Sequence, residues 1–135
     1  VTNRKGTVAE TAVVRTFQDA GDANAERRPK NGALDLGDLS LSDFAIVTEV
    51  KNERAFGSKL SEYIGELETE MHNVEDEIAK RVLRAAENGR HLQYNRLTGS
   101  VVIKRPRHGN PLNWYSLQTL GMRIEDLREM GRLPK

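Results

Sequence analysis

The sequence predicts a mixed α/β domain, a central mixed β-sheet of about four strands flanked by helices, with elements in the order α-β-β-α-β-β-α. Three observations carry this. Residues 7 to 20 and 58 to 89 repeat apolar side chains at helical spacing; residues 44 to 51 and 100 to 105 are apolar runs of strand length; polar stretches bearing Gly and Pro separate them. A chain of 135 residues is long enough to bury a core, and residues 1–135 read as a single domain without internal repeats.

In the first helix Val8, Ala9, Ala12, Val13, Val14, Phe17 and Ala20 form one broad face, and Gly21 is a normal stop. Glu10 lies three and four residues from Val13 and Val14, so its carboxylate is aimed into that face and needs compensation there. The polar stretch 22 to 33, with Pro29 and Gly32, reads as a loop whose basic tip is Arg27, Arg28 and Lys30. Residues 34 to 41 alternate loosely, setting Leu39 and Leu41 opposite Asp38 and Ser40, and Ser42-Asp43 is a turn.

Residues 44 to 51 are the clearest strand. Period two places Glu49 and Lys51 on one face, with Ile46, Thr48 and Val50 on the other. In the long helix, Leu60, Ile64, Leu67, Met71, Val74 and Ile78 follow a 4-3-4-3-4 spacing. Such a seam is either the buried face of a helix or a dimer interface. Val101, Val102 and Ile103 form the next strand, a turn at residues 106 to 111 leads to a return strand at 114 to 117, and a short helix at 124 to 130 closes the chain.

Composition narrows the function classes. With 37% hydrophobic and 30% charged residues and no long apolar stretch, no membrane association is expected, and the N-terminus lacks the apolar core of a signal peptide. The absence of cysteine excludes disulfides and thiolate zinc sites and fits a cytoplasmic location, while His72, His91 and His108 are too scattered for a histidine metal site. The net charge of +1 hides segregation: residues 60 to 78 carry seven acidic and no basic side chains, and residues 79 to 135 carry twelve basic against four acidic. A basic half points to a polyanionic partner, or balances the acidic segment.

Asp38, then Glu49-Val50-Lys51 at the end of an apolar strand, with a helical Glu10 upstream, is the pattern of a metal-dependent phosphodiester hydrolase. Two carboxylates hold a divalent cation on the phosphate, and a nearby ammonium handles the attacking water or the developing charge. Each residue also has a plainer role. Glu49 and Lys51 can be an exposed pair on a sheet edge, and Asp38 a turn residue after Gly37, with Asp35 competing for the metal position. Thr7-x-x-Glu10 also fits a capping box at the helix start. Arg27, Arg28 and Lys30, and Lys104, Arg105 and Arg107 at the later hairpin, are candidate phosphate contacts or simply solvated loops. Trp114 and Tyr115 beside that hairpin read as core, with base stacking as the alternative.

Taken in order, Lys5-Gly6-Thr7-Val8-Ala9-Glu10, Arg27-Arg28, Gly32-Ala33-Leu34-Asp35-Leu36-Gly37-Asp38-Leu39 and Thr48-Glu49-Val50-Lys51-Asn52 resemble the motifs of the PD-(D/E)XK nuclease superfamily. Within it the chain is most similar to Holliday-junction-resolvase-like endonucleases of actinobacterial phages. Archaeal resolvases share the Lys-Gly…Glu helix and the Glu-x-Lys strand. The match covers residues 4 to 54, with a weaker echo in Val101-Val102-Ile103-Lys104-Arg105. Gly37 stands where the superfamily usually has Pro, as is common among the phage relatives, and residues 79 to 99 exceed the family's usual helix-to-strand connection.

The resemblance implies a restriction-endonuclease-like core. It implies one or two Mg²⁺ ions, with Mn²⁺ able to substitute, held by Asp38, Glu49, the carbonyl of Val50 and Glu10. Lys51 would position or deprotonate the water, or stabilise the charged phosphorane. The expected activity is paired hydrolysis of four-way (Holliday) DNA junctions by a homodimer, leaving 5′-phosphates, in a bacterial host's cytoplasm if phage-encoded, with no small-molecule cofactor. Three alternatives stand beside it: a general DNA-processing nuclease of the same fold, a non-catalytic dimeric protein that binds junctions, and a helical assembly module.

Overall fold

Alternation along one strand decides the layout of the molecule. The structure, a computed structural model, describes residues 4–29 and 34–135. Its elements are α1 (Arg4–Asp19), β1 (Glu26–Arg27), β2 (Leu39–Ser40), β3 (Ile46–Lys51), a 3₁₀ turn at Gly57–Lys59, α2 (Leu60–Glu87), β4 (Thr98–Ile103), a second 3₁₀ turn at Pro111–Asn113, β5 (Tyr115–Leu117) and α3 (Leu120–Glu129). Strands β3 and β4 run parallel, from Ile46 opposite Thr98 to Lys51 opposite Ile103, and α2 is the crossover between them. β5 returns antiparallel to β4, with Ile103 opposite Tyr115.

The two faces of β3 are covered by different helices. Val50 packs with Ala9, Val13 and Val14 of α1 and with Leu39, whereas Val47 packs with Tyr63, Leu67 and Val74 of α2, alongside Val101 and Ile103 of β4. Glu49 and Lys51 share the parity of Val47, so they lie on the face that α2 covers. No helix among the described residues is long and apolar enough to cross a membrane.

The expected sheet is corrected in two respects. Among the described residues the fold is mixed α/β with three helices, but the strands form two small sheets, β1-β2 and β3-β4-β5, rather than one four-stranded core. The stretch read as a loop contributes β1, with Glu26 opposite Ser40, so the element order carries an additional strand before β3. The reason is visible at Asp38. Its N–H donates to the Thr48 carbonyl (3.0 Å) as a paired strand would, but its carboxylate Oδ2 then takes the Val50 N–H (2.8 Å). A side chain thus occupies the place of the next backbone acceptor, and no ladder to β3 propagates from there.

The helical seam is the buried face of α2, the first of its two expected roles. Leu67 and Val74 are fully buried, and the buried stripe of α2 is centred on Tyr63, Leu67, Glu70 and Val74, with Leu60, Met71 and Ile78 packing partly from its flanks. Leu67 is core and is not available to a second chain. The helix comes so close to the sheet that a Cβ on Gly99 would lie 3.0 Å from the Val47 carbonyl oxygen and Met71 Sδ and 3.1 Å from Leu67 Cδ1. Gly99→Ala is therefore expected to cost about 1–3 kcal/mol. A denaturant midpoint equal to the wild type's would show that α2 is not held at this distance.

Asp126 docks α3 on the sheet. Its carboxylate accepts hydrogen bonds from Thr98 Oγ1 (2.9 Å), Gln118 Nε2 (3.0 Å) and the Arg96 guanidinium. Burial pushes the carboxyl up, but the bonds from Gln118, Arg96 and Thr98 outweigh it and hold the pKa below the ordinary value. A carboxyl depressed in the folded state contributes stability above its unfolded pKa, and that contribution is lost as pH falls through the folded value. Denaturant midpoints are therefore expected to decline below about pH 4, with a shallower decline in Asp126→Asn. An unchanged acid slope in that variant would assign the effect to other carboxylates.

Candidate metal centre

The strand that alternates so cleanly also places the charged groups. Glu49 is buried at the end of β3, and Lys51, two residues on, brings its Nζ to 3.6 Å from Glu49 Oε2. Asp38 reaches the same strand from its free edge through the bond to the Val50 N–H. Gly37 makes this approach geometrically feasible. Its φ is +104°, and a Cβ there would meet Val47 Cγ1 at 3.2 Å and the Thr48 carbonyl oxygen at 3.3 Å. A proline, with φ near −65°, cannot adopt this conformation.

A cleft of about 680 Å³ opens over these groups, lined among others by Glu10, Asp38, Glu49, Val50 and Lys51. Among the described residues, six carboxylate side chains (Glu10, Asp35, Asp38, Glu49, Glu53 and Glu66) line it against three basic ones (Lys5, Arg28 and Lys51). A phosphodiester is repelled from such a cleft unless a cation offsets the carboxylates. The donor set is all oxygen, which suits Mg²⁺, Mn²⁺ or Ca²⁺.

Glu10 is buried on α1, as helical periodicity requires, and the capping-box reading does not hold. Thr7 lies inside α1 rather than ahead of it, and Glu10 Oε1 instead accepts from Arg27 Nε at 3.1 Å. Asn52 Nδ2 donates to the Lys5 carbonyl (3.2 Å) and so docks the start of α1 beside the end of β3. Glu10 thus lines the cleft with Asp38 and Glu49. Among the described residues, however, the three carboxylates whose ligand oxygens come within 4.8 Å of one another are Asp35, Glu49 and Glu70. Asp35, not Asp38, accepts the Gly37 N–H, on Oδ1 (3.0 Å), and still faces Glu49 and Glu70.

Two residues of α2 complete the centre. Glu66 Oε2 accepts from Lys51 Nζ at 2.6 Å, and the ammonium lies 5.1 Å from the centroid of the Tyr63 ring. Burial disfavours the charge on Lys51, but the Glu66 bond and the charges of Glu49, Glu66 and Asp38 outweigh it and raise its pKa. In this arrangement Lys51 is an ammonium, placed to donate and to supply positive charge. Glu70, 2% exposed, faces Glu49. Burial, foremost, raises both carboxyls, Glu70 the more strongly because the charges of Glu49 and Asp35 add to it. Neither oxygen of Glu70 has a donor among the described residues, so a shared proton, a bridging water or a cation has to join the two carboxyls.

Glu66 and Glu70 belong to none of the sequence motifs above. The signal for Glu70 was present: it is three residues after Leu67 and four before Val74, a carboxylate on an apolar stripe. Glu66 left no such mark. The chain matches no family model, no curated protein and no solved structure. The site therefore stands on its own geometry and chemistry.

The basic residues divide. Arg27 is partly exposed beside Glu10, whereas Arg28 lines the cleft, its guanidinium 5.9 Å from the Phe44 ring centroid. Lys30 lies outside the described residues. Lys104 follows β4 directly, its N–H donating to the Lys51 carbonyl at 2.9 Å, so the β4–β5 hairpin leaves the sheet at the end where Lys51 sits. Lys104 Nζ is 5.8 Å from the Trp114 ring centroid, the Arg105 guanidinium is 5.6 Å from that of Tyr115, and Arg107 is exposed in the turn with φ 66°. Trp114 is half-buried against the α1 core and its Nε1 donates to the His108 carbonyl (2.6 Å), while Tyr115 is 43% exposed.

Proposed function

We propose that this chain is a divalent-cation-dependent, structure-selective DNA endonuclease of the PD-(D/E)XK superfamily that hydrolyses four-way junctions as a homodimer. The observation that carries the reading is the convergence of Asp38, Glu49 and Lys51 in one cleft where, among the described residues, carboxylates outnumber basic groups. Asp38 and Glu49, with the Val50 carbonyl and Glu10 beside them, would hold Mg²⁺ or Mn²⁺. The bound cation would polarise the scissile phosphate and make a water acidic enough to attack it.

The chain's own groups do the rest. The Lys51 ammonium offsets negative charge building on the phosphate oxygens, and the Glu66 bond sets where that ammonium sits. Arg27 and Arg28 on one side, and Lys104, Arg105 and Arg107 at the C-terminal ends of the parallel strands, would hold the phosphates flanking the cut. Contacts of this kind read branch shape and phosphate position more than base sequence, and paired nicks across a junction call for two-fold symmetry. Incubating the protein with a labelled four-way junction and a linear duplex of the same sequence tests the substrate. Preferential cutting of the junction, with 5′-phosphate ends, is expected; equal cutting of both contradicts junction selectivity while leaving the nuclease.

A further inference from the structure

We propose that Asp35, Glu49 and Glu70 form a cation position of their own, in which helix α2 supplies a ligand, so that a bound divalent ion ties α2 to β3 and to the segment ahead of β2. The inference deepens the site proposed above and rests on that reading for the role of Glu49. Its test reads binding and stability, so either can fail alone.

The first observation is Glu70. It is 2% exposed, both carboxylate oxygens are buried, and neither has a hydrogen-bond donor among the described residues. A buried carboxylate without a compensating partner is strongly unfavourable, here at a place on α2 where Leu67 and Val74 mark an apolar stripe. The second is what it faces. Oxygens of Asp35, Glu49 and Glu70 all lie within 4.8 Å of one another. Around a cation with oxygens at roughly 2.1–2.5 Å, ligands on opposite sides are about 4–5 Å apart, so this spacing leaves room for one ion.

The Lys51 ammonium, 2.6 Å from Glu66 and 3.6 Å from Glu49 Oε2, reaches Glu49 but gives Glu70 no hydrogen bond. Asp35 is also fixed in place. Its Oδ1 accepts the Gly37 N–H, and its carbonyl accepts from Asn73 Nδ2 at 2.8 Å, on α2 next to Glu70. Asp35 is exposed and lines the cleft with Glu49, which gives an ion a way in. The cleft would then hold two neighbouring cation positions, one with Asp38 and one with Asp35 and Glu70, that share Glu49.

Mn²⁺ binding to the full chain, counted by electron paramagnetic resonance and paired with thermal unfolding in Mn²⁺ and in EDTA, tests this without DNA. Mn²⁺ is expected to raise the melting temperature of the wild type. Glu70→Gln and Asp35→Asn are expected to weaken binding at this position by about 10–100-fold or more and to shrink the thermal shift. Undiminished Mn²⁺ binding in Glu70→Gln would overturn the proposal and leave a proton shared between Glu49 and Glu70. Should Glu70→Gln fail to fold, Asp35→Asn decides, because Asp35 is at the surface: wild-type affinity there overturns the proposal. Loss of Mn²⁺ in these variants of a protein that cuts no DNA would uphold the cation position and sink the nuclease. Cleavage by a protein whose Mn²⁺ binding ignores both substitutions would do the reverse.

Discussion

Asp38→Asn is expected to lower cleavage of a four-way junction by at least about 10²–10³-fold while junction binding and folding persist. The two roles of Asp38 separate cleanly at this substitution. Its Oδ2 holds the Val50 N–H at 2.8 Å, and an asparagine oxygen can still accept that bond. What the amide cannot supply is the negative charge that a hard divalent cation demands. Cleavage rates under single-turnover conditions, alongside a gel-shift titration and a thermal melt, read the three properties apart. Wild-type cleavage by Asp38→Asn would pass the metal role to Asp35, and loss of folding would make Asp38 structural.

Leu67→Glu is expected to unfold the chain rather than to dissociate it. Leu67 is fully buried in α2, packed with Val47, Val101 and Ile103. Replacing it removes a core side chain and buries an unpaired carboxylate, a loss of about 4–5 kcal/mol or more. A domain of this size has only about 5–15 kcal/mol to lose. Circular dichroism and sedimentation of the purified variant tell the outcomes apart. A folded monomer would place the heptad seam at an interface between chains and contradict the packing of α2 against the sheet.

Different parts of the molecule were legible in the sequence for different physical reasons. Period two along residues 46 to 51 was enough to separate Glu49 and Lys51 from Val50, because one register serves both faces of a strand. Helical spacing likewise placed Glu10 in the buried face of α1. Applied to α2, the same reasoning marks Glu70, since Leu67 and Val74 flank it on one stripe. The β1-β2 pairing spans two residues per strand, too short for any periodic signal. Glu66 is half-exposed among several acidic residues on α2, and only the approach of the helix to Lys51 selects it. The choice between Asp35 and Asp38 could not be made from spacing, and the structure gives each a part: Asp38 bonds the end of β3, and Asp35 faces Glu49 and Glu70.

The central claim is that these carboxylates serve phosphodiester hydrolysis through a bound cation. The most direct measurement incubates the wild-type chain with 5′-labelled four-way junction DNA in Mg²⁺, in Mn²⁺ and in EDTA, and resolves the products on a denaturing gel. Paired nicks that appear with either metal and vanish in EDTA are the predicted result. Intact DNA in both metals, with the junction demonstrably bound, would contradict it.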